Sequence, residues 1–342
     1  MNAEQIQDIL LSGNFTGRKE PAHVVETHIS WIILTPDFAF KIKKPVKFDF
    51  LDFSTFENRR FYCGEEFRLN RRLAPEMYLG VLPVGTIDGR PAIGALTPPL
   101  LDYAVWMRRM DELSQMNILL AKNLVTETHM EILARQLAGF HRRVSIRPPN
   151  VYAPGDYLKD FEDLYHEEKD AIKWLGPEAR VQFDAWRLQI PAFLDAHAHR
   201  MQTRFEEGYW VEGHGDLHTR NIFLPDLPVV FDCIEFNPNF RRIDVLNDLS
   251  FLCMDLEALG HPELGFHFME NYRRIWEVAP KLEDEQLFLF YKAYRSNVRL
   301  KVYLLELRQH QNAALLESVR LYWRLLKNYC NLLQADVSQN AA

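Results

Sequence analysis

Residues 210–236 read WVEGHGDLHTRNIFLPDLPVVFDCIEF. Asp216 sits in a short polar turn behind His214 and Gly215, Asn221 follows five residues later, and Asp232 comes directly after the apolar run Val229-Val230-Phe231. A carboxylate set against buried strand residues costs free energy unless a partner or a cation meets it. Taken singly, Asp216 reads as a turn cap and Asn221 as a turn residue. Their order and spacing, and the apolar setting of Asp232, mark the stretch as a candidate site.

The bulk numbers bound the rest. With 342 residues, 47% of them hydrophobic, the chain is long enough for one compact domain or two lobes. Forty basic and forty-seven acidic residues give a formal charge of -7, which excludes a broad nucleic-acid footprint. Cys63, Cys233, Cys253 and Cys330 are scattered without a C-x-x-C pair, so neither a zinc site nor a disulfide framework is expected, and four reduced thiols suit a cytoplasmic protein. The start of the chain lacks a basic segment followed by an apolar run, and no stretch stays apolar for the length of a membrane helix, so the expectation is a chain without a membrane partner.

Working back from 210–236, the front of the chain is rich in strands. A helix over residues 3–12 stops at Gly13. HISWIIL and FAFKIKK form a hairpin about Thr35-Pro36-Asp37, and the period of two puts Lys41 and Lys43 on one face with Phe40 and Ile42 on the other. Ser54 or Thr55 opens a helix that carries Glu65 and Glu66 and closes at Pro75. MYLGVLPVGTI and RPAIGAL make a second hairpin about Asp88-Gly89. YAVWMRRM begins at Tyr103, and a boundary near residue 104 separates this front from a helical remainder.

That remainder holds helices over 111–122 and from Thr126, then a loop marked by Pro148, Pro149, Pro154 and Gly155. A long helical segment follows in which Pro191 should make a kink or break. After the opening stretch, with strands expected at YWVEG, NIFL and VVFDCIEF, four more helices lead to a polar tail, QADVSQNAA, that is expected to fray.

The spacing from His214 through Asp216 and Leu217 to Asn221 is that of the kinase catalytic loop H-R-D-L-x-x-x-N, with Gly215 in place of the arginine. With Asp232 and the later LNDLSFL, the stretch resembles the aminoglycoside phosphotransferase and choline-kinase-like family. The N-terminal half is similar to a bacterial subgroup often joined to a P-loop ATP-binding domain, whose G-x-x-x-x-G-K-[ST] motif this chain lacks. The resemblance implies an α+β, two-lobed protein-kinase-like fold. Residues 1–104 would be a strand-rich nucleotide-binding lobe, and 105–342 a hinge plus a mostly helical catalytic and acceptor-binding lobe. It also implies ATP or another nucleoside triphosphate, Mg²⁺, and a small hydroxylated acceptor. It leaves room for a separate P-loop ATP-binding protein as partner.

The resemblance assigns roles residue by residue. Asp216 would orient the acceptor hydroxyl, and Asn221 and Asp232 would hold the metal. A strand lysine should meet the phosphates. Lys41 and Lys43 both qualify, with Lys41 favoured because it follows the FAF segment, and Glu66 is the preferred partner over Glu65. Val105 and Met107 would offer backbone groups to the adenine edge with Trp106 packing nearby, although a buried strand would look the same.

Other residues keep two readings. His214 and His218 brace the loop rather than react. Asp248 either holds the loop from below or faces its own helix dipole. Arg295 and Arg299, one turn apart, face either the acceptor or solvent, and Asp255 and Glu257 either meet a cationic substrate or do not.

Of a G-x-G-x-x-G loop the front shows only Gly13 and Gly17, which sustains the alternative of a nucleotide-binding, pseudokinase-like regulatory module. A metallophosphoesterase built on His197, His199, His214 and Asp232 lacks the further G-N-H-[DE] and G-H-x-H clusters. A protein kinase would need an A-P-E segment after Asp232, and none lies between it and Asp244.

Overall fold

The computed structural model describes residues 1–16, 18–19, 21–147 and 157–340. Gly17, the loop of Pro148, Pro149, Pro154 and Gly155, and the last two residues of the polar tail lie outside them. The chain forms two compact units, Met1–Ile118 with Arg220–Pro238, and Leu119–Thr219 with Asn239–Ala342. The first unit therefore extends past the expected boundary at residue 104 and takes in a segment from much later in the chain.

In the first unit, α1 (Ala3–Ser12) opens with a capping box between Asn2 and Gln5 and ends at Gly13 in the left-handed conformation. The strands are β1 (Asn14–Phe15), β2 (Arg18–Lys19), β3 (His23–Glu26), β4 (Ser30–Leu34), β5 (Phe38–Lys43), β6 (Lys47–Phe48) and β7 (Leu51–Asp52). Then come α2 (Phe56–Asn70), capped by Thr55, and β8 (Tyr78–Ile87), β9 (Arg90–Ile93) and β10 (Asp102–Arg108). Eight of these strands make one sheet in the order β2-β1-β9-β8-β10-β5-β4-β3, antiparallel except where β1 meets β9.

Alternation along β5 decides what each face carries. Phe40 and Ile42 pack with Ile6, Ile9, Trp31, Val84 and Ile93 on the α1 side. Ala39 packs on the other side with Cys63 of α2, Met77, Tyr78, Val105 and Met107. Lys41 and Lys43 share that second side, where both reach Glu66 of α2.

YAVWMRRM is not a linker. β10 lies between β5 and β8, with Val105 opposite Lys41 and Val81, and Met107 opposite Ala39 and Tyr78. Both side chains are buried, and the backbone groups of such a strand are spent on its two neighbours. Val105 and Met107 thus occupy two buried positions of a central strand, with a register shift between Trp106 and Met107.

In the second unit, α4 (Glu127–Arg143), α5 (Tyr157–Tyr165), α6 (Glu168–Leu175) and α7 (Glu178–Glu206) precede the site loop, α3 (Met116–Leu120) having carried the chain across from the first unit. The expected helix over 111–122 is a 3-10 turn, Glu112–Ser114, followed by α3. α7 continues through Pro191 without the break that was one of the two expected outcomes; Phe183, Trp186, Ile190, Phe193 and His197 are buried along it on both sides of the proline.

After the loop come α8 (Val245–Ala258), α9 (Pro262–Ile275), α10 (Leu282–Gln309) and α11 (Ala313–Asn340). Every residue of α8 from Val245 to Leu256 is buried, so it is the central helix of the unit. Arg204 of α7 bridges Asp244, the N-cap of α8, and Asp284 in the first turn of α10, and Arg200 also binds Asp284. Removing one partner from such a buried network costs about 3–5 kcal/mol. The tail expected to fray continues the backbone of α11 as far as Asn340.

All four cysteines are buried and none forms a disulfide. Burial pushes the Cys63 and Cys253 thiols up to about 12. No helix among the described residues is long and apolar enough to cross a membrane.

Candidate functional site

In the first unit a cluster of charges is built on β5, α2 and the segment after Phe231. Lys41 Nζ lies 2.8 Å from Glu66 Oε1 and 2.7 Å from Asp232 Oδ1. Lys43 Nζ lies 2.7 Å from Glu66 Oε2 and also binds Glu235. Each oxygen of Glu66 thus takes one lysine, so both candidate lysines meet the same carboxylate. Glu65, one residue earlier, is turned to Arg68 at the surface.

Burial pulls the Lys41 ammonium down, yet Asp232, Glu66 and Glu235 hold it well above its usual value. The same opposition operates at Glu66, where burial raises the carboxyl and Lys41 and Lys43 lower it further. Glu235 moves upward, because burial there outweighs Lys43.

Asp232 is not part of a strand, as VVFDCIEF had suggested: the strand ends at Val230, and Asp232 adopts a left-handed backbone at φ 62°. That conformation costs a non-glycine residue roughly 1–3 kcal/mol and persists only where neighbours over-determine it. Here the Asp232 N–H donates to the Tyr78 hydroxyl at 3.2 Å, and the Cys233 N–H donates to Asn70 Oδ1 at 2.8 Å. Asn70 in turn donates to the Glu66 carbonyl, so α2 fixes both the lysine partner and the turn that aims Asp232. Asn221, which is buried, accepts the Phe231 N–H on its carbonyl at 3.0 Å, tying it to the segment that carries Asp232.

Among the described residues no group of three or more His, Cys, Asp and Glu could hold a metal unaided. Asp232 and Asn221 nevertheless offer hard oxygens, and the Asp232 side chain is 42% exposed. A donor pair of this kind fits Mg²⁺, which takes few protein ligands and completes its shell with water and phosphate.

In the second unit the loop from His214 to Thr219 is held from α8. Asp248 accepts the His214 N–H on Oδ2 at 2.7 Å and the Gly215 N–H on Oδ1 at 2.9 Å. It also lies 3.2 Å from His141 Nε2, whose other ring nitrogen meets the Tyr272 hydroxyl. Burial raises the Asp248 carboxyl, but these partners bring it down to about 2.

The two glycines permit this approach. A Cβ on Gly213 would stand 2.3 Å from Asp248 Oδ2, and one on Gly215, at φ 83°, would stand 2.6 Å from the Phe240 carbonyl oxygen. Arg295 donates to Asn247 Oδ1 at 2.7 Å and to the Gly215 carbonyl at 3.0 Å. Asp255 accepts both the N–H and the hydroxyl of Thr219 at the far end of the loop.

Asp216 itself is 36% exposed on its side chain, with His218 Nε2 3.3 Å from Oδ2 and its own N–H donating to His214 Nδ1. Burial would raise its carboxyl, but His218, His214 and Arg299 hold it well below the usual carboxylate range. The loop therefore presents an ionised oxygen on a rigid turn.

Several residues had been read differently or missed. Arg295 is buried, with its donors on Asn247 and the Gly215 carbonyl. Asp255 and Glu257 are spent on Thr219 and Tyr322, and on Lys292 and Tyr329. Glu235 was missed, and its signal was a second carboxylate three residues after Asp232 in an otherwise apolar stretch. Tyr78 and Asn70 carried no local signal at all.

The fold is shared with several solved structures of small-molecule kinases. The chain matches a choline kinase from Cryptosporidium parvum with a TM-score of 0.57 at 10% identity, covering 98% of this chain and 97% of that one. It matches an ethanolamine kinase from Plasmodium vivax at 0.54 and 12%, over 91% and 82%. A spectinomycin phosphotransferase solved with ADP and spectinomycin matches at 0.54 and 13%, over 98% and 99%. At such identities the likeness shows the protein-kinase-like fold, in agreement with the resemblance read from HGDLHTRN.

In sequence, the chain is 34% identical over 303 residues to an uncharacterized protein of Mycobacterium tuberculosis and to one of Mycobacterium bovis. Those matches cover 87% of this chain and 57% of each relative, so the chain spans little more than half the length of the curated relatives it matches. No family model matches the chain.

Proposed function

We propose that the chain is a phosphotransferase that moves the terminal phosphate of a nucleoside triphosphate, ATP first among them, to a hydroxyl of a small molecule. The observation that carries this reading is Asp216, held ionised on a loop that Asp248 fixes through two backbone N–H groups. An oxygen fixed in that way can accept the hydrogen bond of an acceptor hydroxyl and align it for in-line attack. Because the Asp216 carboxyl lies well below its usual range, it is a weak base, and its work is orientation rather than early proton removal.

In the first unit, Lys41 and Lys43 would neutralise phosphate charge, with Glu66 setting the position of both. Asp232 and Asn221 would hold Mg²⁺, which when bound supplies charge neutralisation at the phosphates. The nucleotide complex of the spectinomycin phosphotransferase supports nucleotide binding on this fold.

The test is a phosphorylation assay over a pool of hydroxylated metabolites, with ATP and GTP, comparing wild type and Asp216→Ala. Equal transfer by the two proteins would sink the assignment. A second reading, a nucleotide-binding regulatory module, is favoured by one observation: the β3–β4 turn, Thr27-His28-Ile29, contains no glycine to close over phosphates. Nucleotide binding with no transfer to any acceptor, and no slow ATP hydrolysis, would select it.

A further inference from the structure

We propose that Arg299 binds an anionic group, a carboxylate or a phosphate, carried by the acceptor that Asp216 serves; the inference rests on the phosphotransferase reading of Asp216. Arg299 lies on α10 one turn beyond Arg295, the residue that grips the Gly215 carbonyl. Its guanidinium packs over the rings of Tyr303 and Tyr322, 5.0 and 5.6 Å from their centroids. The Tyr322 hydroxyl reaches Asp255 Oδ1, and Asp255 Oδ2 holds the Thr219 N–H. Arg299 is thus tied to both ends of the loop that carries Asp216.

What sets this arginine apart is what it lacks. Arg200 and Arg204 of the same unit are paired with Asp284 and Asp244, and Arg295 gives Nε and Nη1 to fixed oxygens. Arg299 donates Nη2 to the Tyr303 hydroxyl at 2.7 Å, while its buried Nε–H has no hydrogen-bond partner, and it forms no ion pair with a carboxylate among the described residues. A guanidinium has five donors in a planar fork that suits carboxylate and phosphate oxygens, and an unmet buried donor is costly. The side chain as a whole is half-buried rather than fully enclosed.

Two further facts point the same way. Arg299 and Asp216 feel each other's charge and form no ion pair with each other, so the guanidinium is not spent on the hydroxyl-orienting oxygen. A molecule bearing both a hydroxyl and an anion would meet both groups. The carboxylates that would greet a cationic acceptor, Asp255 and Glu257, are already taken by Thr219, Tyr322, Lys292 and Tyr329. The acceptor class is therefore a hydroxy acid or a phosphorylated alcohol.

Calorimetric titration of the full chain with glycerate, glycerol 3-phosphate, glycerol and choline tests this, with the same four compounds offered as acceptors beside ATP. The expected result is binding of at least one of the two anions, ahead of glycerol and choline, with glycerate against glycerol 3-phosphate telling carboxylate from phosphate. Arg299→Met should weaken that binding about 10- to 100-fold, and Arg299→Lys by less. Should Arg299→Met fail to fold, the wild-type ranking alone decides.

Choline or glycerol binding ahead of both anions, no binding by either anion, or anion binding unchanged in Arg299→Met would overturn the proposal. Anion binding without phosphoryl transfer would retain the Arg299 site and remove the phosphotransferase reading. Transfer to a neutral or cationic acceptor without anion binding would do the reverse.

Discussion

Lys41 Nζ sits 2.7 Å from Asp232 Oδ1, so the cation proposed for phosphate and the carboxylate proposed for metal are partners of each other before any ligand arrives. Lys41 is half-buried and held by Glu66 as well, so it has little freedom to leave. Lys41→Met should reduce kcat/KM for nucleotide by about 100-fold or more, the scale of losing one preorganised electrostatic group. Because it frees Asp232, the same change should tighten Mg²⁺ binding measured without nucleotide. Steady-state kinetics and metal titration read the two effects, and a loss of both would refute the shared role.

Asp216→Asn preserves shape and removes the charge. The expected outcome is a fall in kcat of about 10²- to 10⁴-fold, with a small drop in melting temperature, since the ionised carboxylate has favourable partners in the fold but is partly exposed to solvent screening. Differential scanning calorimetry beside turnover measurements checks both halves. The acid limb of kcat/KM should show no inflection from Asp216 near the ordinary carboxylate value of about 4, because its carboxyl is held well below that range.

Asp248 makes a stability prediction with a definite sign. Its carboxyl falls from 3.8 to about 2 on folding. A depressed folded value means that its contribution is complete above the unfolded value and disappears as pH falls through the folded one. Wild type should therefore be more stable than Asp248→Asn by on the order of 2 kcal/mol at pH 6, and the gap should close between about pH 4 and pH 2. Urea melts across that interval measure it. A gap that widened toward acid would contradict the assignment.

Arg295 and Arg299 stand one turn apart and should behave oppositely. Arg295→Met strips buried donors from Asn247 and the Gly215 carbonyl and should destabilise by roughly 2–4 kcal/mol. Arg299→Met removes a bond to one hydroxyl and two ring contacts and should cost about 1–2 kcal/mol. Equal losses in chemical denaturation would mean that the two arginines do the same structural work.

Legibility of the sequence followed chain distance. Asp216, Asn221 and Asp232 stood out because their spacing is local, and Lys41 and Lys43 because a period of two needs only one strand. Glu66 was separable from Glu65 by its place on one helix face. Tyr78 and Asn70, which hold the turn at Asp232, were invisible because they meet it from 154 and 163 residues away. Around Val105 a strand buried on both sides and a short linker have the same apolar pattern, and only pairing with β5 and β8 separates them. Arg295 and Arg299 share a helix face, and what distinguishes them is a glycine carbonyl 80 residues away from the first.

The four buried thiols divide evenly, with Cys63 and Cys233 in the first unit and Cys253 and Cys330 in the second. A thiol raised to about 12, as at Cys63 and Cys253, carries almost no thiolate at neutral pH and lies out of reach of alkylating reagents. Each unit thus contains its own chemical clock, silent while closed and running once it opens. Mass spectrometry of timed alkylation, resolved by cysteine, would report the opening rate of each unit separately, and added nucleotide should slow the first pair more than the second.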